Sequence, residues 1–202
     1  NSLIMPIQIN GNGTITGISV GGLPNGIVDT DTLANNAATG AKLASGAIIQ
    51  TVVGASETNT GSSVHVTSTN PSAPTFFNSA CKVTITPQFS NSKILIMWTA
   101  GIRLDPDAEG YVGAYYSPNS DMSSPVIIDP KRGANRDESF RNNDGSSDAH
   151  IFWVQTQTTW DSTVSNTNTR YYNVGGYLSN NDTIEYGDGQ VGLTIMAQEI
   201  KA

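Results

Sequence analysis

The chain's three Trp, seven Tyr and five Phe all lie at or beyond Phe76 of its 202 residues. Aromatic side chains dominate the energetics of most cores, so the first third of this chain lacks the anchors for a core of its own. The stretch "GIVDTDTLANNAATGAKLASGAII" (residues 26–49) has three charges and only small, sparse apolar residues. What it has instead is a repeat. Ile27, Ala37 and Ala47 are spaced by ten, as are Leu33 with Leu43 and Ala34 with Ala44. A unit this short cannot bury its own apolar face and is stable only when stacked or wrapped with other copies. Ile27, Val28, Leu33, Leu43 and Ile48 are therefore expected around an axis shared by identical chains, most simply three. The alternative is a flexible Gly/Ser/Asn linker, against which stands the regular return of the Leu-Ala pair.

From Ile48 the pattern changes to period two, the mark of strands half buried on a sheet. In "CKVTITPQF", Cys81, Val83, Ile85, Pro87 and Phe89 alternate with Lys82, Thr84, Thr86 and Gln88. After "SNS" comes "KILIMWTAGIR", apolar on both faces from Ile94 to Met97 and so expected as a central strand. The two read as a hairpin, with Ile96 and Trp98 inside, facing Val83 and Ile85 or the opposite sheet. Further strands are expected at 48–53, 63–67, 111–116, 126–128, 150–157, 170–178, 183–186 and 192–200, with nothing helical between them. The expected fold is all-β: a short extended N-terminal trimeric stem over residues 1–45, then an antiparallel jelly-roll-like β-sandwich over 46–202.

Charge removes two classes of partner. A net charge of −7 and a pI near 4.6 leave no surplus of Lys and Arg for sequence-blind binding to nucleic acid or anionic lipid. No apolar run approaches the roughly 18–20 residues that cross a bilayer, and "NSLIMPIQIN" lacks the basic start of a signal peptide, so no membrane insertion is expected. One cysteine, Cys81, excludes an intrachain disulfide framework and a multi-cysteine metal site.

The candidates for chemistry are thin. "DPDAEG" (105–110) imitates the start of a calcium loop, but position twelve is Tyr116 where such loops use a bidentate Glu. His65 and His150 have no Cys or second His at ligand spacing. "GASETNTGSS" has serines without a nucleophile elbow. Asp182, Glu185 and Asp188 read as a solvated hairpin end rather than a glycosidase pair, which needs a set separation across a cleft. No catalytic residue, cofactor or metal is expected, and the protein is not expected to be an enzyme.

Binding has better signals. Tyr111, Tyr115 and Tyr116, and Trp160, Tyr171 and Tyr172, sit among amides and hydroxyls that suit sugar rings, although the same residues fit a core or an interface. The long polar segment 129–148 holds Lys131, Arg132, Arg136 and Arg141, four of the ten basic residues, and loops of this length tend to be functional or disordered. The receptor-binding candidates are Tyr115, Tyr116, Arg132, Arg136, Arg141 and Trp160, the arginines matching anionic groups on a glycan.

Three segments, "SGAIIQTV", "KVTITPQFSNSKILIMW" and "LTIMAQEIKA", together with the repeat before them, resemble a family of bacteriophage tail-fibre and appendage proteins common in marine and cyanobacterial phages. The matching positions are 83–87, 92–95 and 193–200, and the motifs are structural. The resemblance implies a homotrimer on the virion, joined to other virion proteins through its N-terminal segment. Its tip is expected to bind a host cell-surface polysaccharide. Two other readings stand beside it: an architectural virion subunit, such as a capsid-mounted fibre, decoration or baseplate connector, and a depolymerase tailspike. The last generally uses a long β-helix that this short repeat does not supply.

Overall fold

Alternation in the sequence becomes alternation in burial. Cys81, Val83, Ile85 and Pro87 are buried while Thr84, Thr86 and Gln88 are exposed, as a half-buried strand requires. The structure, a computed structural model, describes residues 8–9, 15–16, 39–54, 64–106, 108–128, 140–141, 151–179, 183–186 and 192–202. The chain forms two units, Asn1–Thr39 and Gly40–Ala202. In the first, β1 (Gln8–Ile9) pairs antiparallel with β2 (Ile15–Thr16). Ile27, Val28 and Leu33 lie outside the described residues.

The second unit is all-β, with a single 3-10 turn (Gly40–Lys42) as its only helical segment among the described residues. Its strands are β3 (Ile48–Val53), β4 (Val64–Val66), β5 (Thr75–Phe76), β6 (Val83–Ile85), β7 (Lys93–Leu104), β8 (Glu109–Ser117), β9 (Val126–Ile127), β10 (Phe140–Arg141), β11 (Ile151–Asp161), β12 (Arg170–Leu178), β13 (Ile184–Tyr186) and β14 (Thr194–Ile200). They make two antiparallel sheets. In the first, β7 lies between β11 on one side and β14 and β13 on the other, with β3 beyond β14 and β4 beyond β13. In the second, β12 and β8 are central, flanked by β5 and β6 on one side and by β9 and β10 on the other.

The pairing is nested. β3 pairs with β14, β6 with β12, β7 with β11 and β8 with β9, so partners early in the chain meet partners late in it. Buried side chains from both sheets join one cluster, with Ile94, Ile96, Trp98 and Ile195 from the first and Val83, Ile85, Val112, Tyr172 and Val174 from the second. Ile96 and Trp98 thus share the core with Val83 and Ile85, which belong to the opposite sheet.

The expected hairpin is corrected. β6 pairs with β12, and β7 lies in the other sheet, because residues 86–92 cross between the sheets. The crossing is held by Glu199, fully buried on the inward face of β14. Its Oε1 accepts the backbone N–H groups of Gln88 (2.8 Å) and Phe89 (3.2 Å) and the hydroxyl of Ser92 (2.6 Å). Its Oε2 accepts the Gln50 amide of β3 at 2.7 Å, and the same amide group donates to the Thr86 carbonyl at 2.7 Å. Backbone donors that a hairpin ladder would have used are spent on a carboxylate.

Two other boundaries shift. The strand expected at 150–157 runs on to Asp161, in register with β7 along its whole length, since a 12-residue partner offers a ladder that propensity alone does not see. Residues 40–45, expected in the stem, lie in the second unit. There Lys201 Nζ donates to the carbonyls of Ala41 (2.8 Å) and Leu43 (2.6 Å), and Gly46 N–H donates to the Lys201 carbonyl at 2.7 Å.

These contacts give two expected outcomes, both read from urea unfolding midpoints. Glu199→Ala should cost about 3 kcal/mol or more, because it strands several buried donors at once. Trp98→Ala should cost about 3–5 kcal/mol, the usual range for emptying a large core position.

Candidate functional site

Register gives the sandwich two ends. At one end lie the start of β7, the ends of β11 and β14, the end of β8 and the start of β12. The loops 86–92, 118–125 and 162–169 therefore gather there, together with residues 40–47 where the chain enters the unit. The turn between β7 and β8 and the β4–β5 connection lie at the other end.

At the first end, loop 118–125 is tied down. Ser117 Oγ donates to the Ser123 carbonyl (2.6 Å), Asn119 Nδ2 donates to Ser123 Oγ (3.0 Å), and Asp121 Oδ1 accepts from both the backbone (2.9 Å) and the hydroxyl (2.6 Å) of Ser123. These bonds from Ser123 hold the Asp121 carboxyl below its ordinary value. Lys82 Nζ donates to the Ser120 carbonyl and stands 5.4 Å over the Tyr171 ring. Met122 (φ 59°) and Ser124 (φ 53°) are left-handed without being glycine, a conformation that costs roughly 1–2 kcal/mol per residue and persists only where the surroundings hold it. Pro71 and Ser72 of the β4–β5 connection reach Pro125, Val126 and Ile127 and line with them a shallow depression of about 320 Å³.

Loop 162–169 is organised by a buried ion pair. Arg170 Nε (3.1 Å) and Nη2 (2.7 Å) donate to Asp161 Oδ2, which also accepts the Tyr172 hydroxyl at 2.6 Å. Asp161 Oδ1 accepts the backbone (2.8 Å) and hydroxyl (2.6 Å) of Thr163. The guanidinium lies 3.7 Å from the centre of the Tyr116 ring. Burial pushes the Asp161 carboxyl up, but the hydrogen bonds from Thr163, Tyr172 and Arg170 outweigh it and hold the group below its ordinary value. Burial, and then the charge of Asp161, push the Tyr172 hydroxyl far up, so it remains a donor.

Two receptor-binding candidates, Tyr115 and Tyr116, have their rings packed within the chain. Tyr115 is fully buried on the outward face of β8, edge-on to Phe76 (5.7 Å) and Tyr111 (6.1 Å), in a cluster that includes Met122 and Tyr177. Tyr116, half-buried, packs on the core between Arg170 and Tyr172. Both lie within strand β8, where neighbours on each side claim the rings. Trp160 is 50 % exposed on β11. Arg132 and Arg136 lie outside the described residues, and Arg141 is described only as part of the backbone of β10. Leu43 and Ile48 are exposed in this single chain, at 36 % and 52 %.

Of the carboxylates weighed for glycan cleavage, only Glu185 lies among the described residues. Glu185 is paired with Arg103 (3.1 Å) and His65 (3.3 Å), and Arg103 also faces Asp105 at 3.7 Å. Asp182 and Asp188 lie outside the described residues. No group of three or more His, Cys, Asp or Glu that could hold a metal ion occurs among the described residues, and no helix is long and apolar enough to cross a membrane.

Sequence reasoning passed over Asp161, Arg170 and Glu199. A signal existed for Asp161 and Glu199. Asp161 and Thr163 have the spacing of a side-chain-capped turn, and Glu199 falls on the apolar phase of Leu193, Ile195 and Ala197, where a lone carboxylate demands donors. Comparison with known proteins adds no name: no protein-family model and no curated protein sequence matches the chain.

A pH dependence follows from Asp161. A carboxyl whose folded pKa is depressed stabilises the fold fully above its unfolded value and loses that contribution as pH falls through the folded value. The stability gap between the native chain and Asp161→Asn should therefore be complete at neutral pH and shrink below about pH 4, the unfolded value. Urea titrations of both proteins at neutral and acid pH check this.

Proposed function

We propose that this chain is a structural protein of a bacteriophage particle, a homotrimeric tail fibre or appendage whose β-body attaches to a polysaccharide on the host surface. In this reading it joins other virion proteins through its N-terminal segment and catalyses no reaction. One observation carries the proposal beyond the resemblance itself. The three separated segments that resemble the phage family become neighbours: β3, β7 and β14 are hydrogen-bonded side by side. Glu199 of "MAQEI" then grips the backbone of "TPQFSNS" directly. A motif set that closes on itself physically supports a shared fold better than three short matches do.

The finer fold belongs to the same proposal. Pairing first with last, second with next to last, and so inward is the folding of a jelly roll, and the nested pairs β3·β14, β6·β12, β7·β11 and β8·β9 fit it. The position of the receptor contact follows from polarity. Residues 40–47 approach β3 at one end of the sandwich, so the opposite end, with Arg103, Asp105, Glu185 and His65, is the end free to meet a cell. Its mixed charges and the exposed His65 ring suit a polar glycan rather than an apolar ligand. The second reading, an architectural subunit, is favoured by the tight internal pairing of those same charges.

Sedimentation of the purified chain should give three times 21.3 kDa, holding on dilution. Incubated with host polysaccharide, the trimer should bind without releasing oligosaccharide. Release would make it a depolymerase. A stable trimer that ignores the polysaccharide and host cells would favour the architectural role.

A further inference from the structure

Four of the six large apolar side chains exposed among the described residues, Ile48 (52 %), Val53 (60 %), Val154 (48 %) and Trp160 (50 %), lie on one surface. This is the outward face of the sheet β3–β14–β7–β11. Burial alternates along β7 and β14, leaving Leu95, Met97 and Met196 half-buried on that face. The ladder aligns them in rows. Val53, Met196, Met97 and Thr158 run across four strands, and Thr51, Gln198, Leu95 and Trp160 form the next row. The polar members satisfy one another, since Gln198 Nε2 donates to Thr51 Oγ1 at 3.3 Å and the Thr99 and Thr156 hydroxyls are 3.0 Å apart.

Neither row carries a charge. Along β7 the face is bounded by Lys93 at one end and by the Arg103–Glu185 pair at the other. Four strands about 4.8 Å apart and seven residues of about 3.4 Å give a footprint of roughly 400 Å², apolar and uncharged polar positions together, within the range of the largest patch on an ordinary monomer, which is often functional.

We infer that this face is where copies of the chain meet. The inference rests on the trimeric reading above and assigns that trimer its interface. Two observations select another copy over a different occupant. The chain carries a net charge of −7, so identical copies repel except where their surfaces are uncharged, and these rows are such a place. The face includes Ile48, paired with Ile200 at its margin, and Ile48 is the last residue of the set expected around the shared axis. Trp160 then faces a neighbouring copy and not a receptor.

The double variant Met97→Glu, Met196→Glu places two carboxylates at cross-strand positions in the centre of the face. The expected result is loss of the trimer: the variant sediments with the mass of one chain while its far-UV circular dichroism matches the parent. A parent trimer with a variant that remains trimeric overturns the inference and leaves the trimeric reading standing. A monomeric parent removes both. Should the variant not fold, hydroxyl-radical oxidation of the assembled parent decides, since Trp160 shielded from oxidation supports the interface and Trp160 oxidised as readily as a half-exposed indole rejects it.

Discussion

One buried carboxylate sets the path of the chain. Glu199 has no cation beside it within hydrogen-bond reach among the described residues, and is held by backbone N–H groups, a hydroxyl and an amide. A carboxyl group out of water is tolerable only when its oxygens are hydrogen-bonded. Satisfying them here requires residues from β3, from the 86–92 crossing and from β14 to converge. The docking of β14, of β3 and of the crossing is therefore mutually dependent. Hydrophobic burial supplies most of the stability, but apolar contacts are non-directional, and this carboxylate gives the crossing its direction.

The opposite corner is organised by the same logic with a cation included. Asp161 ends β11, Arg170 begins β12, and their buried pair closes the eight-residue connection between the two sheets. Breaking such a pair by removing one member is costly because it leaves the other charge uncompensated. Both polar clusters sit at the end where the chain enters the unit, and both pin connections that pass from one sheet to the other. The far end has instead the partly exposed cluster of Arg103, Asp105, Glu185 and His65. Polar groups are thus invested in fixing crossings at one end and remain accessible at the other.

The all-β class and most strands could be read from period two alone, because one face of each strand meets a core and the other meets water. Partners could not be read. Alternation in "CKVTITPQF" gives the phase of β6 correctly but says nothing of whether β7 or β12 lies beside it, and the short "SNS" turn points to the nearer strand. The deciding bonds come from Glu199, more than a hundred residues away. Short strands such as β5 and β10 are invisible for a related reason: two residues carry no period. Among the site candidates, Tyr115 and Tyr116 fall at the end of an expected strand, beside the serine and proline of a turn, where the sequence fits a binding surface and a core equally. The structure buries Tyr115 and half-buries Tyr116 because both faces of β8 are covered, one by the core and the other by the cluster of Phe76, Tyr111, Met122 and Tyr177.

That second covered face sharpens the meaning of the one left open. On the β8–β12 sheet the outward aromatics are shielded by the chain's own loops and by Met122, held there at positive φ. On the β3–β14–β7–β11 sheet the outward Val53, Trp160 and Val154 have no such cover in the single chain. A chain that accepts left-handed backbone to shield one apolar face has no evident reason to leave the other wet, unless something outside the chain covers it. The uncharged rows, the margin at Ile48 and the acidity of the remaining surface all favour the same covering body, another copy of the chain. On the interface proposed above, a neighbouring copy would give the β3–β14–β7–β11 sheet the shield that the β8–β12 sheet draws from its own loops.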